Sequence, residues 1–470
     1  MERRHPSPSC CGAKPSAASP PLLSLSSSSK MASQKLQVAV VGAGAAGLCV
    51  ARHILASPKT FAPPVVFEAS GCLGGTWVYS EEEAEGRPTH SSMYRDLRTN
   101  LPKEVMAFPD FPFDPALPSF LHHSDVLAYL ESYAEHFGVQ DHIQFQSEVS
   151  HIRPVPSSEG QPGGWEVTAT HQGPETTQKV TKHFDAVMVC TGHYANPFIP
   201  PIPGLDSFQG RLLHSHSYRR PEPFAGQRVV LVGAGPSGVD LALQLAPLAA
   251  RVVLSHQGPL VCGLPWDVLQ VPPLARVSAE TVVLRDGSVL PADALILCTG
   301  YRYRFPFLDL AQLGLRETEY GVGPLYRHLV APQHPSLFLV GVCQQICPFP
   351  HFHCQALFAL AVLEGGCPLP SAAEMEADAQ AQLERHLREG GLARHFLRLR
   401  AQQWSYAEEL ARLAGFSPLP PVVREIYEAT RTSRAQNVST YRGRNYQLLG
   451  PDAWEVRQGE AEDAEGGPLL

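Results

Sequence analysis

Val38-Ala39-Val40-Val41-Gly42-Ala43-Gly44-Ala45-Ala46-Gly47 decides the reading of this chain, because its pattern returns as Arg228-Val229-Val230-Leu231-Val232-Gly233-Ala234-Gly235-Pro236-Ser237-Gly238. Each stretch is a short apolar run, suited to a strand buried on both faces, that feeds directly into GxGxxG. In that pattern the first glycine makes the tight turn and the second lets a pyrophosphate approach the backbone. The third lets the following helix pack on the strand. The helix N-terminus then offers unpaired N–H groups to the phosphate. One such turn is a weak signal. Two, each behind its own strand, predict two dinucleotides in one polypeptide, which suits a flavin at one turn and a nicotinamide cofactor that reduces it at the other.

Outward from the first turn, Ala45 to Leu55 reads as a small-residue helix, and Val65-Val66-Phe67 as a strand ending at Glu68. A carboxylate at that strand end can accept the ribose hydroxyls of an adenine dinucleotide. Beyond the second turn, a helix reaches about Ala250 and the strand Arg251 to Leu254 ends in Ser255-His256-Gln257, with no acid. That removes the repulsion which would exclude a 2′-phosphate. Further strands are expected at Trp165–Thr170, Ala186–Cys190, Ala294–Leu297 and Leu337–Val342, and a helix at Gln355–Leu363. Ser124 is the expected N-cap of a helix carrying Val126, Leu127, Leu130, Tyr133 and Phe137 at helical spacing, stopped by Gly138. Residues 71–120 read as a long irregular region, the kind of segment that carries function.

Composition narrows the class. The 470 residues are 44% hydrophobic and only 17% charged, with 44 prolines and 38 glycines, enough for two or three loop-rich domains. A net charge of -8 argues against a nucleic-acid surface. No stretch approaches the roughly 18 apolar residues of a transmembrane segment, so a cytoplasmic protein is the expectation. The eleven cysteines show no disulfide framework and read as free thiols. Cys343, Cys347, His351, His353 and Cys354 cluster, but their spacing fits no common zinc pattern, and Pro348 and Pro350 suggest a turn; no metal is expected.

Between the two turns, Phe208-Gln209-Gly210-Arg211-Leu212-Leu213-His214-Ser215-His216-Ser217-Tyr218 matches FxGxxxHxxxY, and with it the chain resembles the flavin-containing monooxygenases along almost its whole length after residue 35. Tyr94 to Glu104 is similar to that family's segment beneath the flavin. Cys190-Thr191-Gly192-His193-Tyr194 and Cys298-Thr299-Gly300-Tyr301 resemble its linker motifs. His214 to Phe224 is similar to the plant S-oxygenating, glucosinolate S-oxygenase-like subgroup and its animal relatives.

The resemblance implies FAD at the first turn and NADPH at the second. NADPH passes hydride to the flavin, O2 adds to give a C4a-hydroperoxide shielded by retained NADP+, and a soft sulfur or nitrogen nucleophile takes the outer oxygen. A thioether, thiol or amine is the implied substrate, with S-oxygenation favoured in an enzyme of N,N-dimethylaniline monooxygenase-like activity. By the same resemblance Gly42, Ala43, Gly44, Ala45, Ala46 and Gly47 hold the FAD pyrophosphate, Glu68 the ribose, and Thr76 and Trp77 the flavin. Val149 is implied as an adenine-side backbone contact. Thr99 and Asn100 stand between flavin and nicotinamide, with the Asn100 amide orienting NADP+ as the catalytic candidate. Gly233, Ala234, Gly235, Pro236, Ser237 and Gly238 cradle the NADPH pyrophosphate. Relatives often carry an arginine just after the serine matching Ser255; here His256 and Gln257 follow it. His214 and Tyr218 read as linker residues that keep two domains in register.

The expected fold is therefore α/β with two dinucleotide-binding Rossmann-like domains, the NADPH domain inserted into the FAD domain. The expected boundaries are a disordered Ser/Pro-rich tail at 1–34, FAD-binding parts at 36–213 and 325–450, the NADPH-binding domain at 214–324, and an acidic tail at 451–470. Two rival functions remain beside heteroatom oxygenation. A Baeyer–Villiger monooxygenase normally has tryptophan where this chain has Tyr218, and a catalytically silent FAD/NADP-binding protein would keep the same turns. A disulfide reductase would need a CxxC pair, which Cys343 and Cys347 do not form.

Overall fold

The computed structural model describes residues 34–81, 90–156, 163–173, 176–318 and 321–458; the expected N-terminal tail and the last part of the acidic tail lie outside them. The first turn belongs to a five-stranded parallel sheet. It contains β1 (Val38–Val41), β2 (Val65–Phe67) and β3 (Ile143–Gln144). The chain then builds an antiparallel sheet, β4 (Ser147–Val155), β5 (Gly164–Gln172) and β6 (Thr177–Phe184), before β7 (Ala186–Val189) returns beside β1. It next leaves for a second five-stranded parallel sheet, made of β8 (Arg211–His214), β9 (Arg228–Val232), β10 (Arg251–Ser255) and β11 (Val268–Val271). A meander of β12 (Leu274–Val277), β13 (Thr281–Leu284) and β14 (Val289–Pro291) covers that sheet before β15 (Ala294–Leu297) completes it. A hairpin of β16 (Arg316–Thr318) and β17 (Gly321–Gly323) precedes β18 (Leu337–Leu339), which rejoins the first sheet beside β7. A last hairpin pairs β19 (Arg444–Leu448) with β20 (Trp454–Gln458).

The sheet orders are β18-β7-β1-β2-β3 and β11-β10-β9-β15-β8, so each glycine turn leaves the central strand of its sheet. All four residues of β1 are buried, as a parallel strand covered on both faces requires. Each buried Val or Leu of these strands contributes about 1.5–3 kcal/mol over exposure. Helix α1 (Ala45–Ala56) packs on β1 because Gly47 has no side chain: a Cβ there would lie 1.9 Å from the Gly42 carbonyl oxygen. The same holds at α4 (Pro236–Leu245), where a Cβ on Gly238 would lie 1.8 Å from the Gly233 oxygen. The remaining helices are α2 (Lys103–Met106), α3 (His123–His136), α5 (Pro348–Leu363), α6 (Ala372–Arg388), α7 (Gln402–Ala414) and α8 (Pro421–Gln436). Among the described residues, no helix is long and apolar enough to cross a membrane.

Two local expectations need correction, and two of the expected boundaries fall within a strand or a hairpin. Helix α3 is capped by His122, not Ser124: the His122 ring accepts from the Ser124 N–H while Asp125 accepts from the His122 N–H at 3.1 Å. Pro348 and Pro350 do not make a turn. They occupy the first turn of α5, where a missing N–H costs no intrahelical bond. Strand β8, the start of the His214 motif, lies on the edge of the second sheet beside β15, so the boundary drawn at residue 213 falls inside a strand. Finally, Trp454–Gln458 at the start of the expected acidic tail is strand, held by the Trp454 indole N–H on Glu425 at 2.9 Å and by packing on Tyr446.

Candidate functional site: two glycine cradles and the segment between them

The first cradle gathers residues from three places. The Gly74 N–H donates to the Ala43 carbonyl at 3.0 Å, which lays the turn Gly75–Trp77, with Thr76 and Trp77, across Gly42–Gly47. Gly74 and Gly75 both have positive φ, and a Cβ on Gly75 would come within 3.0 Å of the Gly44 Cα, so the close crossing requires glycine. Glu68 reaches the same turn: its Oε2 accepts from the Ala43 N–H at 2.8 Å and its Oε1 from the Ser70 N–H and hydroxyl. The fourth lone-pair position of an ionised carboxylate remains for a ligand hydroxyl. Val149 lies on β4, buried, two residues beyond Ser147, whose N–H donates to the Glu68 carbonyl.

The second cradle is simpler. Gly233 has φ +108 and packs under the Cys298 carbonyl, whereas Gly235 has extended backbone and open space where a Cβ would point. Gly44 likewise has extended backbone, and a Cβ there would make only ordinary contact, 3.6 Å from Gly75. Protein packing alone therefore does not require glycine at 44 or 235; a pyrophosphate lying against the backbone does. Helices α1 and α4 also begin without a side-chain cap and without an acid in the first turn, which leaves their N–H groups and positive dipole ends to an anion. The residues present fit two dinucleotides. At the end of β10, His256 Nε2 lies 3.1 Å from Gln270 Oε1, which also accepts from the Val261 N–H.

Thr99 and Asn100 stand on the segment between the cradles. Thr99 is buried, its N–H donating to the Leu121 carbonyl and its hydroxyl accepting from the Leu121 N–H. Asn100 is half-buried, and its amide makes no hydrogen bond to another described residue. Leu121 belongs to the first sheet's core, and the segment is anchored on the second sheet's side as well. Tyr94 is buried in that unit's apolar core, edge-on to Tyr218 at 5.5 Å, and its hydroxyl donates to Asp240 on α4. The Arg219 guanidinium donates to the carbonyls of Met93, His216 and Tyr218. Arg442 donates from Nη1 to Asp240 Oδ1 at 2.6 Å, from Nε to the Thr99 carbonyl at 3.0 Å and from Nη2 to the Arg98 carbonyl at 3.2 Å. Tyr94, Asp240, Arg219 and Arg442 were not among the sequence candidates. The one sequence signal was Asp240, a lone acid in the apolar helix run Val239-Asp240-Leu241-Ala242.

The linker histidines are poor proton carriers at neutral pH. Burial, with His216 alongside, lowers the His214 pKa to about 4, and burial lowers that of His193 to about 4. Cys190 and Cys298 are similarly held as thiols by burial, Cys298 pushed up to about 12. All nine cysteines among the described residues are free.

One group among the described residues, Cys49, His53 and His353, brings metal-ligating atoms within 4.8 Å of one another. Arg52 decides its chemistry. Its guanidinium, which can only donate, meets His53 Nδ1 at 3.1 Å, so His53 carries its proton on Nε2, facing His353 Nδ1 at 3.1 Å. The lone pairs are committed to a chain running from Asp110 through Arg52 to the two imidazoles, rather than directed at an ion.

Two parallel sheets, each with a glycine cradle at the carboxyl end of its central strand, define a two-dinucleotide oxidoreductase of the α/β class. Residues 35–270 and 261–460 match the family described as Flavin-binding monooxygenase-like, and the chain belongs to that family. Membership carries FAD and NADPH as cofactors. The chain is 34% identical over 432 residues to Flavin-containing monooxygenase FMO GS-OX-like 4 of Arabidopsis thaliana, covering 86% of this chain and 93% of that protein. S-allyl-L-cysteine S-oxygenase from Allium sativum superposes with TM-score 0.78 at 33% identity, over 87% of this chain and 95% of that one. Tmm from Pelagibacter sp. strain HTCC7211 follows at TM-score 0.75 and 29% identity, over 87% and 93%.

Proposed function

We propose that this flavin monooxygenase transfers one oxygen atom from O2 to a soft sulfur nucleophile, a thioether in the first instance, at the expense of NADPH. The balance is thioether, O2, NADPH and a proton giving sulfoxide, NADP+ and water. The observation that carries the reading is the half-buried Asn100, whose amide has no hydrogen bond to another described residue, on a segment bonded to the Thr76 carbonyl beside the first cradle and, through Arg442, to the helix of the second. Likeness to a protein named for S-oxygenation of S-allyl-L-cysteine supports sulfur over nitrogen. Thiols and amines, the other soft nucleophiles, follow in the order of their reactivity.

FAD, when bound, supplies the redox and oxygen chemistry; the chain supplies binding, orientation and exclusion of water. Gly42, Ala43, Gly44, Ala45, Ala46 and Gly47 take the FAD pyrophosphate, Glu68 the ribose, Thr76 and Trp77 the flavin, and Val149 the adenine side. Gly233, Ala234, Gly235, Pro236, Ser237 and Gly238 take the NADPH pyrophosphate. Thr99 fixes the backbone before Asn100, and the Asn100 amide, able to donate and accept, orients the nicotinamide. No strong protein base is required, in keeping with linker histidines that stay neutral. His256 takes the 2′-phosphate side in place of an arginine, which makes NADPH preference over NADH modest. The test is purified, FAD-loaded protein with NADPH and a panel of thioethers, amines and ketones. Sulfoxide as the main product supports the proposal, whereas ester from ketone without sulfoxide supports the Baeyer–Villiger reading. No turnover of any substrate by a yellow protein supports the silent one.

A further inference from the structure

We propose that Arg442 is a positioning residue that pins the Asn100 segment, already paired with residues 120–123 of the first half, to the helix of the second glycine cradle, so that Asn100 is held in register with the nicotinamide nucleotide. The inference rests on the proposed role of Asn100. Three parts of the chain, far apart in sequence, meet at one guanidinium. Arg442 comes from the turn Tyr441–Gly443 that precedes β19. Asp240 stands on α4, two residues after the last glycine of the second cradle. The carbonyls of Arg98 and Thr99 immediately precede Asn100.

The geometry is specific to arginine. Nη1 takes Asp240, Nε takes the Thr99 carbonyl and Nη2 the Arg98 carbonyl, so three edges of a rigid fork serve three fixed acceptors. A lysine ammonium is a point charge on a flexible stem and cannot hold them in one plane. Asp240 is used on both oxygens, Oδ1 by Arg442 and Oδ2 by the Tyr94 hydroxyl. Tyr94 lies on the same segment as Thr99 and is buried in the core of the second parallel sheet. The segment is therefore tied to α4 directly through Tyr94 and indirectly through Arg442. The Asp240 side chain is 10% exposed and that of Arg442 19%, so solvent does not screen the pair away. Whatever shifts α4 when the nucleotide binds shifts the backbone beside Asn100 with it.

The test uses the FAD-loaded full chain and the variants Arg442→Met, Arg442→Lys and Asp240→Asn. Hydrogen exchange is followed with and without NADP+. In the parent protein, NADP+ should slow amide exchange in both α4 and residues 94–102. In Arg442→Met, it should still slow exchange in α4, while residues 94–102 exchange about tenfold faster and lose their response to NADP+. Arg442→Lys should lose the same response despite keeping the charge. FAD content and exchange in α1 should stay unchanged, and sulfoxide formed per NADPH should fall with hydrogen peroxide rising in its place. Asp240→Asn combined with Arg442→Met should be no worse than Arg442→Met alone. An unchanged NADP+ response of residues 94–102 in Arg442→Met overturns the proposal, as does equal loss of protection throughout the chain, which marks a merely structural residue. If the parent makes no sulfoxide, the proposed function fails while the exchange experiment still decides the clamp.

Discussion

Gly235 and Gly47 are both glycines of a GxGxxG turn, yet they answer to different demands. A Cβ at 47 would collide with the Gly42 carbonyl oxygen at 1.9 Å, whereas a Cβ at 235 would enter open space. Gly47→Ala should therefore disturb the β1–α1 unit itself, giving protein that is less stable and short of FAD, measured by melting temperature and flavin content. Gly235→Ala should fold and keep FAD but raise the KM for NADPH by about tenfold or more, since only the nucleotide competes for that space. Asn100→Ala should leave FAD content unchanged and lower sulfoxide formation on the order of 10²-fold, the usual scale for a positioned amide donor near the reacting centre; equal sulfoxidation by that variant removes it from the reaction. Glu68 and Asn100 were nameable as candidates in the sequence because each follows a local signal, a strand end or a family segment; Glu68 does reach the first turn, and the role of Asn100 stays with the proposal. Asp240, Tyr94 and Arg442 were not, because their meaning lies in a meeting of residues far apart along the chain.

At the scale of elements, the parallel strands were the most legible part of the fold. Val38–Val41, Val65–Phe67, Arg228–Val232 and Ala294–Leu297 are apolar runs buried on both faces, and the observed strands start and end there. Strand β8 was not legible. Arg211 and Leu212 are exposed on the sheet edge, so only pairing with β15, formed much later in the chain, makes the segment a strand. Helix termini were read less well than helix bodies. The α3 cap moved to His122 because a ring nitrogen, with Asp125 closing the reciprocal bond, serves in place of the usual hydroxyl. Asp125→Ala should remove half of that capping box and destabilise the protein by about 1 kcal/mol, read as a lower urea midpoint at constant m value.

At the scale of the whole molecule, buried histidines set the response to acid. Burial lowers the pKa of His328 to about 4, that of His351 to about 3 and that of His53 to about 2, all from an unfolded value near 6.5. Because the folded values are depressed, the unfolded chain takes up these protons first as pH falls. Stability from this source is fully present above about pH 6.5 and is lost as pH falls, down to about pH 4 for His328, about 3 for His351 and about 2 for His53, at up to about 1.4 kcal/mol per pH unit for each histidine still inside its window. Unfolding midpoints should thus fall steeply between pH 6.5 and 4, and a flat profile over that range would contradict the burial of these rings. The insertion of one sheet in the path of another was also legible, since the order of two turns and their strands allows few topologies. The contacts that join the halves were not, because they depend on single side chains such as Arg219 and Arg442.

The proposed reaction is delivery of an oxygen atom to sulfur by the two cradles and the segment between them. It is tested most directly by giving the FAD-loaded protein NADPH, a thioether and ¹⁸O-labelled O2 in unlabelled water, and weighing the product. The expected product is a sulfoxide that carries one heavy oxygen, formed in step with NADPH consumption. Hydrogen peroxide as the only product of NADPH oxidation, or a sulfoxide whose oxygen comes from water, would contradict it.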